Sequence, residues 1–161
     1  MYQRNHSVVF TNASKYYDEL VYLGPKKSTY TSNKESQNMN QDRLHGRCHC
    51  GTIKFSIPRD LNMGAVRRCD CSLCKRRGAI MLACPIQDVC VESGDEQLIR
   101  YKWNTKVATH HFCSKCGIMT HHQRRSTPEV CGVNIGCIDE LDYSSFKSVP
   151  MNNGVNLTLV D

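Results

Sequence analysis

Seven of the eleven cysteines in this 161-residue chain fall into three close groups, and two of these groups are pairs. Cys48 and Cys50 form a C-x-C pair, and Cys113 and Cys116 form a C-x-x-C pair that Gly117 follows directly. Two pairs supply four thiolates, which close a tetrahedral zinc site. We therefore predict a structural zinc ion between them. The alternative, a redox C-x-x-C, is typical of a βαβ pattern, which this half of the chain lacks.

The third group is the triplet Cys69, Cys71 and Cys74. Three thiolates leave one zinc position open, and open positions are where water or a substrate binds. Asp70 lies between two of these cysteines, but alternation along an extended segment points it away from the flanking sulfurs. The triplet is therefore either an open, catalytic zinc site or a second structural site completed by a distant His or Cys.

Arginine and histidine side chains follow both the triplet and the C-x-x-C pair in the sequence. Guanidinium groups near the triplet could clamp the carboxylates of a peptide-like thiol, or they could form a solvated face. Paired histidines on a strand face opposite sides, so at most one of each pair reaches a pocket. Such a histidine could carry protons near pH 7 or could be structural. The candidate substrate-binding residues are Arg76, Arg77, His121, His122 and Arg124.

Two regions of different composition divide the chain. Residues 1–42 contain none of the cysteines, and Thr29–Asp42 is a polar segment rich in Ser, Asn and Gln. Such a segment has little apolar surface to bury, which predicts a flexible N-terminal extension. We predict that residues 43–161 form the zinc-binding domain.

Short apolar or alternating runs separated by turn signals fill the second region, and no long helical periodicity is found there. This pattern predicts an all-β domain with small sheets stabilised by zinc. Asn104–Thr105 is expected to be a tight connection between two strands. The predicted strands are Thr52–Ile57, Ala79–Ala83, Gln97–Trp103, Lys106–Phe112, Gly117–Gln123 and Val130–Ile135.

Charge and apolar content exclude several function classes. Zinc with four thiolates carries −2 and zinc with three carries −1, which brings the formal charge of +6 down to +3. That balance argues against nucleic acid as a partner. No apolar run is long enough to cross a membrane, so no membrane association is expected. The N-terminus lacks a secretory signal, which predicts a reducing, cytoplasmic location, with the nucleus left open.

The three motifs, in this order, resemble those of the glutathione-dependent formaldehyde-activating enzyme family, which also includes centromere protein V. They read C-x-C-G at Cys48–Gly51, CDCSLCKRRG at Cys69–Gly78 and FCSKCG at Phe112–Gly117. The resemblance covers Gly46–Asp161. It implies an Mss4-like, β-rich fold with two zinc ions. Its structural zinc would be held by Cys48, Cys50, Cys113 and Cys116, and its catalytic zinc by Cys69, Cys71 and Cys74.

The resemblance also implies an activity. It predicts a zinc-dependent carbon–sulfur lyase related to S-(hydroxymethyl)glutathione synthase, with a small thiol such as glutathione as partner. The chain departs from the expected pattern at Asp70, where Gly or His is expected, and at Lys75, where the namesake enzyme has an aromatic residue. The alternative hypothesis is a non-catalytic, zinc-stabilised binding module that contacts chromatin or another macromolecule.

Overall fold

Ten short β-strands and one helical turn organise the residues that the computed structural model describes, 42–102 and 104–156. Short 3-10 turns and irregular segments connect them. The helical turn is α1 (Cys74–Arg77). The strands are β1 (Arg43–Arg47), β2 (Lys54–Pro58), β3 (Arg68–Cys69), β4 (Met81–Pro85), β5 (Cys90–Ser93), β6 (Leu98–Lys102), β7 (Thr109–Cys113), β8 (Met119–Gln123), β9 (Val130–Asn134) and β10 (Met151–Asn152).

The strands form three sheets. The largest is antiparallel with the order β4-β9-β8-β7-β6, and a second antiparallel sheet has the order β1-β2-β5. The third is a two-stranded parallel pair of β3 and β10. Pro85 ends β4, and this is tolerated because β4 lies at the edge of its sheet, where a missing N–H breaks no ladder.

The main core contains apolar side chains from both antiparallel sheets. Phe55 and Ile57 of β2 are fully buried with Leu82 of β4 and Val133 of β9. A smaller core cluster contains two cysteines together with Ile53 and Leu98. One cysteine of each pair, Cys48 and Cys113, is thus embedded in apolar packing. The edge strand β6 buries Leu98 in this cluster and exposes its other four residues.

The all-β prediction is confirmed, and the arrangement of small sheets is consistent with an Mss4-like fold. The predicted strand from Lys106 is wrong at its start, because β7 begins only at Thr109. Asn104 and Lys106 have φ angles of 55° and 58°, which an extended strand does not allow. The connection is therefore longer than the predicted tight turn.

The predicted N-terminal extension lies outside the described residues except for Asp42, and so does Trp103 at the end of one predicted strand. The division at residue 42 stays a prediction. In the described part of the chain, every helix is too short or too polar to cross a membrane.

Candidate metal centres and the adjoining cavity

The two cysteine pairs converge on one point between the antiparallel sheets. Cys48 and Cys50 follow β1, Cys113 ends β7 and Cys116 lies between β7 and β8. Their four sulfurs all lie within 4.8 Å of one another. The Sγ atoms of Cys48 and Cys50 are 3.6 Å apart, and those of Cys50 and Cys113 are 3.7 Å apart. Zn–S bonds of about 2.3 Å in a tetrahedron require sulfurs about 3.8 Å apart, so the geometry fits this metal.

Two similar backbone turns orient the side chains of the two cysteine pairs. Gly51 and Gly117 have φ angles of 74° and 72°, in the left-handed region that favours glycine. Gly51 N donates to Cys48 O and Gly117 N donates to Cys113 O, both at 2.9 Å. Each turn bends the chain back so that both sulfurs of a pair point to the same side. The glycine that ends each motif is thus required by the geometry.

The thiols of this four-cysteine cluster have unequal acidities. Burial raises the pKa of Cys48 to about 11. The hydroxyl of Thr52, 3.2 Å from the Cys50 sulfur, and the Thr52 amide lower the pKa of Cys50 to about 6. A cation at the centre would offset the cost of ionising the buried thiols, and metal ligation requires thiolates. Because the donor set is entirely sulfur, it favours a soft or borderline ion such as zinc.

The triplet forms a second cluster, built on one short segment. The sulfurs of Cys69, Cys71 and Cys74 all lie within 4.8 Å of one another. The amide of Cys74 donates to Cys71 Sγ at 3.4 Å where α1 begins. Gly78, with φ 63°, ends α1 after a single turn, and its amide donates to Cys74 O. Burial and the neighbouring sulfurs raise the pKa of Cys74, so this cluster also favours a cation.

A segment from the other end of the domain covers one side of the triplet; we call Met151–Asn156 the C-terminal strap. Its strand β10 pairs in parallel with β3. Asp70 Oδ1 accepts hydrogen bonds from the amides of Gly154 and Val155. A side chain at Gly154 would overlap Cys69 Sγ. Asp70 thus faces the strap rather than the metal position, in agreement with the alternation predicted for the extended segment that contains it.

A cavity of about 240 Å³ lies beside the triplet. All three cysteines contribute to its wall, together with Gly154 of the strap and Asn104 of the β6–β7 connection. The four-cysteine cluster does not contribute to this wall. The two clusters therefore differ in their surroundings, because the triplet borders this cavity and the four-cysteine cluster does not.

The four histidines of β7 and β8 divide between two faces of the large sheet. His110 pairs with His122 across the strands and both line the cavity, with ring centroids 5.0 Å apart. His111 and His121 stack at 4.2 Å on the opposite face, where His121 also contacts Phe55. Burial lowers the pKa of His110 and His111 to about 4 and that of His121 and His122 to about 3. All four are neutral at pH 7.

Arg77 joins the triplet to the large sheet. It ends α1, and its guanidinium lies 4.6 Å from the centre of the Phe112 ring. It also donates to His110 Nδ1 at 2.9 Å and contacts Met119 Sδ at 2.7 Å. Because a guanidinium can only donate, His110 Nδ1 is the acceptor and the ring proton lies on Nε2. Arg77 therefore fixes both the position of α1 and the tautomer of His110.

The structure brings together part of the predicted substrate-binding set. Arg77, His122 and Arg124 line the cavity, whereas Arg76 and His121 do not. Arg76 turns back to donate to Ser72 O, and His121 lies on the opposite face because β8 alternates. The prediction that at most one histidine of each pair faces a pocket agrees with this arrangement.

Sequence reasoning missed several cavity residues. The Asn-Asn-Gly run at 152–154 contributes Asn152 and Gly154, and the connection after β6 contributes Asn104 and Thr105. The glycine and asparagines of 152–154 are turn residues, which was the available signal that this segment bends against something. What it bends against, the triplet more than 80 positions earlier, has no signature in the local sequence.

Comparison with known proteins places these features in a family. The family model "Glutathione-dependent formaldehyde-activating enzyme" matches residues 43–150. The chain is also similar to a Rhodobacter sphaeroides protein whose crystal structure was solved by structural genomics. The two share 42% identity with a TM-score of 0.65, over 67% of this chain and 99% of that one. This chain belongs to the glutathione-dependent formaldehyde-activating enzyme family.

Proposed function

We propose that the triplet and its cavity form the active site of a zinc-dependent carbon–sulfur lyase acting on a thiol adduct of a small carbonyl compound. The observation that carries this proposal is that all three triplet sulfurs border a cavity that also contains Arg77, Arg124 and His122. The seven cysteines are proposed as zinc ligands: four in the closed cluster and three at the active site. Family membership suggests glutathione as the thiol and formaldehyde as the carbonyl compound.

A zinc ion held by the triplet would supply Lewis acidity and an open position for a deprotonated thiol. The protein's own side chains define the rest of the site. In the forward direction a thiol sulfur bonds to the carbonyl carbon and the thiol proton ends on the carbonyl oxygen. The reverse reaction breaks the same carbon–sulfur bond. The residues must therefore hold the thiol in place and stabilise charge on that oxygen.

His110 and His122 suit the second task. Both are neutral at pH 7, because burial lowers their pKa to about 4 and about 3. His110 keeps its proton on Nε2, since Arg77 occupies Nδ1. A neutral, preorganised N–H donor stabilises an oxygen that gains negative charge. Arg124 is suited to hold a carboxylate of the thiol.

The alternative, a module that contacts chromatin, requires a fully ligated metal beneath a flat basic surface. The concave wall beside the triplet favours the enzyme over this alternative. We also retain the proposals of an N-terminal extension over residues 1–42 and of a cytoplasmic location.

The test uses zinc content, cobalt spectra and turnover together. Wild-type protein should hold two metals, Cys71→Ser should hold one, and adding glutathione should change the visible spectrum of the cobalt form only in wild type. Exchange of ¹³C-formaldehyde with its glutathione adduct, followed by NMR, should be faster with wild-type protein than with Cys71→Ser. Two metals, no spectral change with glutathione or any other small thiol, and no faster exchange would refute the enzyme proposal.

A further inference from the structure

The cavity wall is strongly cationic and contains no carboxylate among the described residues. Five arginines contribute to it, from the segment before the triplet, from α1 and from the end of β8. The arginines are Arg67, Arg68, Arg77, Arg124 and Arg125. A triplet of thiolates with a divalent cation carries one negative charge, which five guanidinium groups exceed.

Among the described residues, no ion pair neutralises the positive charge of the cavity wall. The ion pairs found among residues 42–102 and 104–156 involve His45, Arg47 and Arg100, none of which lines the cavity. Arg67 donates to two backbone carbonyls, and Arg77 contacts His110 and the Phe112 ring. These partners are uncharged. Within the same ranges, Arg68, Arg124 and Arg125 make no side-chain hydrogen bond.

A concave wall of one charge sign concentrates its electric field and attracts ligands of the opposite charge. Guanidinium groups prefer carboxylate or phosphate oxygens, which they can bind in pairs. Glutathione offers two carboxylates but also carries an α-ammonium group, and the wall offers no carboxylate to pair with it. The cavity volume of about 240 Å³ is also below the roughly 300–1,000 Å³ typical of pockets for drug-sized ligands.

We propose that the thiol bound here is a compact polyanion without a free ammonium group, such as a mercapto-dicarboxylate or a phosphate-bearing thiol. This inference rests on the proposed function, because it assigns the substrate class of the same site. The thiol would approach the triplet while two anionic groups bind the arginines. The histidines of the wall are neutral and add no charge, so the arginines decide the preference.

The experiment compares matched thiols on the cobalt-substituted protein. Dissociation constants for mercaptosuccinate, N-acetylcysteine, cysteine, glutathione and cysteamine are measured from the cobalt spectrum and corrected for the thiolate fraction of each. We expect mercaptosuccinate to bind about tenfold or more tightly than cysteine or glutathione, and cysteamine to bind weakest. Equal or tighter binding of glutathione or cysteine would overturn the inference.

Two variants check that the arginines cause the preference. Arg124→Gln and Arg68→Gln should each reduce the advantage of mercaptosuccinate over cysteine. Arg100→Gln is the matched control, because Arg100 is exposed and paired with Asp95 outside the cavity. The Arg100→Gln protein should prefer mercaptosuccinate over cysteine to the same extent as wild type. An unchanged preference in both cavity variants would count against the assignment.

Succinate, which carries two carboxylates and no thiol, separates this inference from the proposed function. If thiols change the cobalt spectrum without any charge preference, the function stands and the inference fails. If no thiol changes the spectrum, the proposed function fails. In that case an anion site survives only if succinate raises the unfolding midpoint of wild type and Arg100→Gln but not of Arg124→Gln.

Discussion

The four-cysteine cluster and the triplet have the same kind of ligand but different surroundings. Cys48 and Cys113 are each only 1% exposed, and Ile53 and Leu98 pack beside them. The triplet cysteines are all partly exposed and lie on a single segment at the wall of a cavity. One cluster joins two sheets, whereas the other lies where a ligand can reach it.

This difference shows that ligand number and supporting structure act together. Four sulfurs brought from two sheets can enclose a metal, which would tie distant strands to each other. Three sulfurs from one segment cannot do so, and the strap, α1 and residues of β4, β7 and β8 contribute the remaining walls.

The largest effect is expected from Cys113→Ser. Losing one of four ligands should release the metal that joins the two antiparallel sheets. Structural zinc sites are worth about 10–16 kcal/mol in small domains, which exceeds the stability of most domains of this size. We expect the variant to be largely unfolded by circular dichroism. Cys90→Ser is the control, because Cys90 is exposed and belongs to neither cluster; if Cys113→Ser is as stable as this control, the four-cysteine cluster is not a structural centre.

A second, smaller contrast is expected in metal release. The triplet supplies three ligands and leaves one zinc position open, whereas the other cluster supplies four, so a coloured chelator should remove the triplet's metal about tenfold faster or more. The measurement is the time course of chelator absorbance, with one fast and one slow phase. Cys71→Ser should lack the fast phase. A single phase for both metals would mean that the two centres release their metals at the same rate.

Acid should destabilise the protein because of the buried imidazoles. The folded pKa values of about 3 to 4 lie below the ordinary 6.5, so the unfolded chain binds protons in this window while the folded chain does not. Stability is therefore unaffected above about pH 6.5 and falls as pH drops from 6.5 towards 4. Each imidazole should cost roughly 1–2 kcal/mol at pH 5.

This pH dependence can be separated from acid release of metal. His111 and His121 lie on the face away from the cavity, so His111→Asn with His121→Asn should flatten the curve of unfolding free energy against pH without changing zinc content. The free energy is measured by urea unfolding between pH 5 and 7.5. An unchanged slope in the double variant would show that these two imidazoles do not cause the acid sensitivity.

The smallest effect is expected at Asp70. Asp70→Leu removes the acceptor of two strap amides, which should cost about 1–3 kcal/mol and speed metal release from the triplet. Asp70→Asn retains an acceptor oxygen, so it should lose less stability and speed metal release from the triplet less than Asp70→Leu. If the two variants behave alike, the hydrogen bonds to the strap do not matter. Release from the four-cysteine cluster should be the same in both.

The cysteine clusters and much of the large sheet could be predicted from the local sequence. Spacing within each motif is a short-range property, and the predicted runs at 97–103, 117–123 and 130–135 overlap β6, β8 and β9. The strands β1, β3, β5 and β10 were missed. β3 and β10 each have only two residues and β5 has four, too few for a periodic signal. β1 is as long as the strands that were predicted, but Leu44 is its only large apolar residue.

The cavity could be predicted only in part. Arg77, His122 and Arg124 stood out because they lie near cysteines or beside each other in the sequence. His110, Arg68 and Asn152 reach the same space only through strand pairing and the return of the strap. The roles of Arg77 in orienting His110 and of Asp70 in holding the strap depend on contacts 33 and 84 positions apart. Such contacts follow from the fold and not from local pattern.

The parallel pairing of β3 with β10 sets an order of events during translation. The triplet leaves the ribosome more than 80 residues before Gly154, the residue that later packs against Cys69. In this interval the nascent chain carries three thiols without their cover. A metal ion can therefore bind the triplet before the strap is made and covers one side of it.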